Sequence, residues 1–299
     1  MEIKINHTAS IPAVGFGTYM IDDAQAEISV TDALQAGYRH IDTAEGYQNE
    51  SGVGRALRAS GLRRDEVFIT TKLWPGNPAW GDPVKDYAAT IAALDSSLGS
   101  LGLDYVDLYL IHAPFAGAQR LEQWQALEEL RRQGKARNIG VSNFSSAHLD
   151  EIQTAGLSTP DVNQIELHPW SQKPELISYM KQRGMVAVAY SSLVPLAEWR
   201  VTEGHDSSKS EEMTQAGARE DSPFKQMAKK YRVTEAQFLL RWGLQKGYAV
   251  LPKSTNPARI RQNIDLFSFE IDEDDMAAVA VMDQGPGVAW TSGDPVFQQ

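Results

Sequence analysis

The sequence contains no cysteine. That absence excludes disulfide bonds, thiolate nucleophiles and zinc sites built on cysteine. The chain also has no apolar stretch approaching the roughly 20 residues that a membrane-spanning helix needs. Its first segment, MEIKINHTASIPAV, lacks the apolar core of a secretory signal. We therefore expect a soluble, cytoplasmic protein without a membrane partner.

Positive charge is scarce as well. The 299 residues include 28 basic and 39 acidic side chains, which gives a formal net charge of −11. Nonspecific binding to nucleic acid requires a basic face, so no nucleic acid partner is expected. Neither a serine nucleophile elbow nor an HExxH-type metal motif occurs in the sequence. A serine nucleophile and a metal site are therefore not predicted.

What is present is a regular alternation of strand-like and helix-like segments. Hydrophobic residues make up 42% of the chain, and no linker-like stretch divides it, so we expect one domain over residues 1–299. The clearest helices are Tyr87–Leu101, with apolar residues every three or four positions, and Leu121–Gln133, with Gly134 as its stop. Short apolar runs predict eight strands: Ala13–Gly17, Tyr38–Asp42, Val67–Lys72, Val106–His112, Asn138–Ser142, Val162–Glu166, Met185–Tyr190 and Tyr248–Pro252.

Eight such units in one chain predict an α/β fold, a parallel (β/α)8 TIM barrel. A doubly wound open sheet is the main alternative, but it normally carries a glycine-rich turn after a strand. The only candidate, VGFGTYM, has Met20 where a third glycine is expected. Residues 2–6 and those just after His7 predict a short hairpin that plugs the amino end of the barrel. Long loops are expected at its carboxyl end, and Leu196–Ser222 has the length of a functional loop.

Four polar side chains lie at or just beyond the ends of predicted strands. Asp42, Lys72 and His112 end three of them, and Tyr47 follows Asp42 in the next loop. Barrel enzymes build their active sites at this end of the strands. An ammonium stabilises a phenolate, so we expect Lys72, paired with Asp42, to lower the pKa of Tyr47 and make it a usable general acid. With His112 on the same carbonyl oxygen, the set suits protonation of a carbonyl while a bound hydride donor attacks the carbon.

Each of these residues also has a structural interpretation. A Lys–Asp pair at a strand end is often a salt bridge, and a single histidine after a strand is often a core group. Their joint placement at three strand ends favours the catalytic interpretation.

A second cluster of polar residues lies near the end of the chain. Lys253, Arg259 and Arg261 are grouped with Ser254 and Thr255 around a predicted helix start. Lysine and arginine bind phosphate, and helix N-termini favour anions, so the cluster predicts a phosphomonoester site. An ordinary solvated helix face is the alternative interpretation.

These segments resemble the aldo-keto reductase family. The resemblance runs from about Ile11 to Asp283 in the family's order, through YRHIDTAEGYQNESGVGRAL, ITTKLW, LDYVDLYLIHAP, IGVSNF, NQIELHP and LPKSTNPARIRQN. It implies an NADPH-dependent oxidoreductase that reduces an aldehyde or ketone to the alcohol on a (β/α)8 barrel, with a small-molecule carbonyl substrate and a monomeric chain. Two other functions stay open: a nicotinamide-binding sensor or regulatory subunit with little turnover, and a barrel isomerase acting on a phosphorylated sugar.

The resemblance also implies roles for individual residues. Tyr47 would donate the proton, Lys72 and Asp42 would tune it, and His112 would orient the carbonyl. The implied cofactor contacts are Ser142, Asn143 and Gln164 at the nicotinamide carboxamide; Tyr190 on the nicotinamide ring; Ser191 and Leu193 at the pyrophosphate; Lys253, Ser254, Thr255 and Arg259 at the 2′-phosphate; Asn263 and Gln262 near the adenine; and Gly17 and Thr18.

The expected substrate pocket departs from the commonest family pattern. Trp74 matches a pocket aromatic, but Tyr19 replaces one common tryptophan and Ala113 replaces another, which would remove a bulky wall. Ser192 stands where proline is usual, and Gln262 where glutamate is frequent. Further lining is open between pocket and ordinary packing for four tryptophans: Trp80, Trp170, Trp199 and Trp290. The physiological substrate cannot be predicted from these residues.

Overall fold

The chain forms a closed parallel barrel preceded by a hairpin. We describe it from a computed structural model that covers residues 1–6, 8–196, 222–290 and 292–297. The hairpin strands are β1 (Glu2–Lys4) and β2 (Ser10–Pro12), which pair antiparallel. The barrel strands are β3 (Phe16–Gly17), β4 (His40–Asp42), β5 (Phe68–Leu73), β6 (Val106–Ile111), β7 (Ala136–Ser142), β8 (Val162–Glu166), β9 (Val186–Tyr190) and β10 (Ala249–Val250).

The eight barrel strands are parallel and neighbour one another in chain order. The two ends of the sheet also meet, because Val14 forms a parallel bridge with Val250 and the Gly15 amide donates to the Val250 carbonyl at 2.9 Å. This closure confirms the predicted (β/α)8 barrel and rules out the open sheet. At the closing edge β3 and β10 are only two residues long, shorter than predicted, since regular pairing stops there.

The helices follow the strands on the outside of the barrel. Within the described ranges they are α1 (Asp23–Gln35), α2 (Glu50–Ala59), α3 (Tyr87–Leu101), α4 (Arg120–Arg132), α5 (Ser146–Thr154), α6 (Pro174–Gln182), α7 (Pro223–Tyr231), α8 (Glu235–Gln245), α9 (Pro257–Ile264) and α10 (Glu273–Ala280). Helix α3 has the predicted bounds, because the Asp86 side chain caps its first turn and Gly102, at φ 67°, ends it. Helix α4 starts and stops one residue earlier than predicted.

The hairpin covers the amino end of the barrel, as predicted. Ile5 and Ile11 are buried in one apolar cluster with inward-facing strand residues such as Leu108 and Leu110. The Asn6 side chain donates to Asn138 Oδ1 at 2.9 Å and to Asp161 Oδ1 at 3.2 Å, which fixes the hairpin to the starts of β7 and β8. Access to the barrel interior is therefore confined to its carboxyl end.

Most of the predicted loop Leu196–Ser222, including Trp199, lies outside the described residues. In the ranges that are described, no helix is both long enough and apolar enough to cross a membrane.

Candidate active site

The four predicted catalytic residues come together at the carboxyl end of the barrel. Asp42 ends β4, Lys72 lies one residue before the end of β5, and His112 directly follows β6. Tyr47 ends a short 3-10 helix that begins at Glu45, just beyond β4. Parallel pairing of neighbouring strands brings their ends to one place, which is why residues 30 or more positions apart meet here.

Lys72 is fully buried beneath Tyr47. Its Nζ donates to Asp42 Oδ1 at 2.5 Å, to the Thr43 carbonyl at 2.8 Å and to the Tyr47 hydroxyl at 3.4 Å. The second oxygen of Asp42 accepts from Gln164 Nε2 at 2.8 Å. A buried ion pair is tolerated when its remaining donors and acceptors are satisfied, and here each of them has a partner.

The direction of the Tyr47 pKa shift differs from the sequence prediction. Burial, with a further contribution from the negative charge of Asp42, raises the pKa of Tyr47 well above its usual value. The net pKa of Tyr47 is therefore raised, and the predicted net lowering is wrong. Burial lowers the pKa of Lys72, and Asp42 at 2.5 Å offsets the charge of its ammonium. The phenol thus keeps its proton at neutral pH, which is the state that a proton donor requires.

His112 is neutral and faces Tyr47. Burial, together with the charge of Lys72, lowers the pKa of His112 well below its usual value. The ring lies edge-on to Tyr47 with centroids 5.5 Å apart. Asn143 Nδ2 donates a hydrogen bond to the His112 carbonyl at 2.9 Å. Within the described residues, Nδ1 of the ring has no hydrogen-bond partner. A neutral imidazole carries one N–H, so His112 can donate to an oxygen placed beside Tyr47.

The residues expected at the nicotinamide carboxamide form a hydrogen-bonded group at the ends of β7 and β8. Ser142 Oγ donates to the Gln164 carbonyl at 2.8 Å, and Asn143 Nδ2 donates to Ser142 Oγ at 3.0 Å. Asn143 has φ 64°, a left-handed conformation that asparagine tolerates better than most residues. The Tyr190 hydroxyl donates to Asn143 Oδ1 at 2.6 Å and accepts from Trp290 Nε1 at 2.9 Å.

The predicted phosphate cluster lies at the far side of the same cavity, at the start of α9. Asn256 caps this helix, its Oδ1 accepting from the amides of Ala258 at 2.9 Å and Arg259 at 3.2 Å. Lys253 is largely exposed to solvent, and partial desolvation by its neighbours lowers its pKa. Two cationic side chains beside hydroxyls and a helix N-terminus are donors of the kind that a phosphomonoester needs.

One cavity of about 1180 Å³ joins these two groups of residues. It exceeds the ~300–1,000 Å³ of ordinary small-molecule pockets, so a dinucleotide with a small substrate fits its size. Its walls combine amides and hydroxyls at the tyrosine end with cations at the other, which suits NADP(H). The lining includes these predicted residues: Gly17, Tyr19, Asp42, Tyr47, Trp74, His112, Ser142, Asn143, Gln164, Tyr190, Ser191, Leu193, Lys253, Ser254, Thr255, Arg259, Gln262 and Asn263.

Two predicted contacts, Thr18 and Ala113, do not line the cavity, because both are fully buried. The Thr18 hydroxyl donates to the Asp42 carbonyl at 3.0 Å, so it positions a strand end. Sequence reasoning also missed a polar edge of the cavity on α7 and α8, formed by Lys225, Thr234 and Glu235. Thr234 caps the start of α8 in a capping box, with Glu235 as the first helical residue, but this motif signals a helix start and not a cavity wall.

An aromatic wall flanks the site at Tyr47 and His112. Trp74 stacks on Trp80 with centroids 5.9 Å apart, and Phe115 meets Trp290 edge-on at 5.5 Å. The Trp290 ring is 6.2 Å from His112. The bulky wall that Ala113 was expected to remove is therefore supplied by other residues. Phe115 was missed, although it follows His112 by three positions.

Two tryptophans whose role was open line the cavity, Trp80 and Trp290. Trp170 instead packs against Phe224 with centroids 5.9 Å apart, away from the cavity lining.

A protonated tyrosine beside a buried lysine, at one end of a cavity shaped for a phosphorylated dinucleotide, defines an NADP-dependent oxidoreductase built on a barrel. Comparison with known proteins leads to the same class. The sequence profile of the aldo/keto reductase family matches residues 13–283. The chain belongs to the aldo/keto reductase family, whose members use NADP(H) and act on small-molecule carbonyl substrates.

Individual relatives match over nearly the whole chain. An aldo-keto reductase of Mycolicibacterium vanbaalenii is 42% identical over 285 residues, covering 95% of this chain and 92% of the relative. The crystal structure of an aldo/keto reductase from Brucella melitensis has 39% identity and a TM-score of 0.82, covering 95% and 99% of the two chains. A Bombyx mori aldo-keto reductase, solved in complex with NADP, has 34% identity and a TM-score of 0.85, covering 98% and 95%.

Proposed function

We propose that this chain reduces an aldehyde or ketone to the alcohol with NADPH, and that Tyr47 donates the proton to the carbonyl oxygen. The observation that carries the proposal is the position of the Tyr47 hydroxyl. It lies 3.4 Å from the buried Lys72 ammonium and lines the same cavity as the neutral ring of His112. When bound, reduced nicotinamide supplies the hydride that the carbonyl carbon takes up.

Lys72 and Asp42 act on the product of the proton transfer. Once Tyr47 has given up its proton, the phenolate faces the Lys72 ammonium, whose charge stabilises it in a site from which water is largely excluded. Asp42 keeps Lys72 charged despite its burial and fixes Nζ at the place where the phenolate forms. Burial raises the pKa of Tyr47, so the phenol keeps its proton at neutral pH, and the Lys72 charge offsets part of the cost of forming the phenolate.

His112 orients the carbonyl. An imidazolium would compete with Tyr47 as the acid, but the lowered pKa of His112 keeps the ring neutral. Its N–H then donates a hydrogen bond to the carbonyl oxygen and places that oxygen near the Tyr47 hydroxyl. The His112 backbone is fixed by Asn143 Nδ2 at 2.9 Å, and its ring also contacts Trp74 and Trp290.

Cofactor binding is assigned to both ends of the cavity. Ser142, Asn143 and Gln164 hold the carboxamide, and Tyr190 supports the nicotinamide ring. Lys253 and Arg259, with Ser254 and Thr255, bind the 2′-phosphate and give the preference for NADPH over NADH. The remaining lining residues assigned to cofactor binding are Gly17, Ser191, Leu193, Gln262 and Asn263.

The aromatic wall of Trp74, Trp80, Phe115 and Trp290 favours a carbonyl compound with an apolar group, since aromatic faces bind apolar groups. A single domain, a monomeric chain and a cytoplasmic location remain our predictions from the sequence.

The proposal is tested with the purified chain, NADPH and a panel of aliphatic, aromatic and sugar-derived carbonyl compounds. NADPH binding is followed by fluorescence, and turnover by NADPH consumption together with the alcohol formed. We expect one alcohol for each NADPH consumed, at a kcat in the usual range of about 1–1,000 s⁻¹ for at least one compound. Binding of NADPH without turnover on the whole panel would contradict the proposal and favour the sensor or regulatory subunit.

A further inference from the structure

The segment that carries Trp290 has little secondary structure of its own. We call residues 283–290 the tail segment; they follow the last long helix, α10, and end at the aromatic wall. Trp290 is nevertheless held in one place, with its indole N–H 2.9 Å from the Tyr190 hydroxyl and its ring against Phe115. The backbone that precedes Trp290 also has contacts of its own, outside the cavity.

Glu166 supplies those contacts. It ends β8, is fully buried and does not line the cavity. Its two carboxylate oxygens accept from two successive backbone amides of the tail segment, Oε1 from Val288 at 2.8 Å and Oε2 from Ala289 at 2.9 Å. These are the two residues immediately before Trp290. A bidentate contact of this kind defines orientation as well as distance.

The charge of Glu166 is maintained by its neighbours. Burial opposes the charged form, but His168, whose Nε2 lies 2.9 Å from Oε1, and nearby Lys173 outweigh it, so the pKa of Glu166 is lowered. Lys173 Nζ donates to the Glu166 carbonyl at 2.9 Å and pairs with Asp294 at 2.8 Å. The Glu166 carboxylate, which we call the clamp, therefore stays ionised at neutral pH and is a strong acceptor for both amides.

The tail segment is shaped for this contact. A Cβ added to Gly287 would lie 2.1 Å from Glu166 Oε2, so only glycine lets the chain pass this close to the carboxylate. The Gly287 amide donates to Asp294 Oδ2 at 2.7 Å, which links the segment to the same ion pair as Lys173. Two residues earlier in the tail segment, the Gly285 carbonyl accepts from Ser171 Oγ at 2.7 Å.

We infer that Glu166 is a positioning residue for substrate selection: by clamping the amides of Val288 and Ala289, it fixes Trp290 as a wall of the carbonyl pocket. Trp290 contacts His112, Phe115 and the Tyr190 hydroxyl, whereas neither Tyr47 nor Lys72 bonds directly to Glu166 or Trp290 among the contacts described. Loss of the clamp should therefore weaken binding of carbonyl compounds that reach Trp290, and leave reduction of small ones nearly intact. This inference rests on the proposed function for its kinetic consequence, but not for the clamp itself.

The kinetic test compares benzaldehyde with propanal at saturating NADPH. Glu166→Gln keeps the size of the side chain, but its amide nitrogen cannot accept from a backbone N–H. We expect KM for benzaldehyde to rise about tenfold or more, as for loss of a buried hydrogen bond to a charged group. KM and kcat for propanal should stay within about twofold. Equal changes for both aldehydes would overturn the inference.

A double-mutant cycle tests whether Glu166 acts through Trp290. Trp290→Ala alone should raise KM for benzaldehyde, and adding Glu166→Gln should then change it by less than about twofold, because coupled residues are non-additive. Full additivity of the two changes in KM would contradict the inference.

Gly287→Ala provides a second test, since its Cβ displaces the clamp without removing a charge. Gly287→Ala should also raise KM for benzaldehyde while leaving KM for propanal nearly unchanged. An unchanged ratio of the two KM values would contradict the inference.

Glu50→Gln is the matched control. Glu50 is also a buried glutamate, but it bonds to Thr71 at 2.6 Å and not to the tail segment. It should change the two aldehydes equally, and a benzaldehyde-specific effect would show that any buried glutamate produces the shift.

Hydrogen exchange separates failure of this inference from failure of the proposed function. Without cofactor or substrate, the amides of Val288 and Ala289 should exchange at least about tenfold faster in Glu166→Gln than in the wild type. Unchanged exchange would overturn the clamp. Absence of aldehyde turnover by the wild type, with faster exchange in the variant, would count against the proposed function alone.

Discussion

Two buried lysine–carboxylate pairs lie near the carboxyl end of this barrel, and they contact different parts of the molecule. Lys72 and Asp42 pair at 2.5 Å between neighbouring strands, directly beneath the Tyr47 hydroxyl. Lys173 and Asp294 pair at 2.8 Å with side chains only 1% exposed, and with Glu166 they fix the tail segment. In our proposals, the first pair acts on the reacting atoms, and the second acts on a wall that only some substrates touch.

The difference follows from how each pair is built. β4 and β5 are adjacent strands, so Asp42 and Lys72 are placed by the regular ladder of the barrel itself. Lys173 and Asp294 are 121 positions apart, and the described residues between 283 and 294, which are 283–290 and 292–294, form no helix or strand. The proposed chemistry thus rests on side chains placed by the strand ladder, and the proposed substrate choice rests on a segment held by a few polar contacts.

The largest expected effect separates the two pairs directly. Lys72→Met and Lys173→Met each leave a buried carboxylate unpaired, so each should lower the free energy of unfolding by about 3–5 kcal/mol. Only Lys72→Met should also lower kcat for propanal, by about 100-fold or more, because the phenolate of Tyr47 loses its stabilising charge.

Lys173→Met should leave kcat for propanal within about threefold of the wild type. Denaturant unfolding checks stability, and kcat is measured on the folded protein. An equal loss of kcat in both variants would remove the distinction between the pairs.

A smaller effect is expected at the phosphate cluster, which belongs to neither pair. Replacing Lys253 and Arg259 with alanine should raise KM for NADPH about tenfold or more, from lost charge-assisted bonds to the 2′-phosphate. KM for NADH should change far less, because NADH lacks that phosphate. Steady-state kinetics with both cofactors gives the ratio, and equal changes would contradict the 2′-phosphate assignment.

The smallest effect concerns pH. The pKa of Tyr47 is raised, so its proton stays bound through neutral and mildly alkaline pH. The pKa of His112 is lowered, so the ring stays neutral down to mildly acidic pH. We therefore expect kcat for propanal to be nearly flat from about pH 6 to about pH 9, since neither group titrates there. A fall in kcat above about pH 7 would instead indicate a Tyr47 with a lowered pKa.

The sequence predicted those parts of the molecule that depend on local pattern. The bounds of α3 follow from apolar spacing with Asp86 and Gly102 at its ends, and Asp42, Lys72 and His112 were found because strand ends meet in a barrel. The direction of the Tyr47 pKa could not be predicted. It depends on how deeply the phenol is buried and on the distance from Asp42 to Lys72, which strand-end positions alone do not give.

The aromatic wall shows a second limit. Ala113 was expected to open the pocket, because only its own position was considered. The wall is instead built from Phe115 and from Trp290, which lies 178 positions away from His112 in the sequence. No spacing rule connects Glu166 with Val288 and Ala289, since the tail segment has no periodicity. Contacts of this kind become visible only when the chain is folded.

The central claim is that Tyr47 donates the proton, and Tyr47→Phe tests it most directly, since it removes one oxygen atom and keeps the ring. Tyr109→Phe is the matched control: Tyr109 is fully buried on β6, and its hydroxyl has no hydrogen-bond partner among the described residues. With NADPH and the best aldehyde at neutral pH, single-turnover rates should fall about 100-fold or more for Tyr47→Phe and stay near the wild-type rate for Tyr109→Phe. A Tyr47→Phe rate close to that of the wild type would contradict the account.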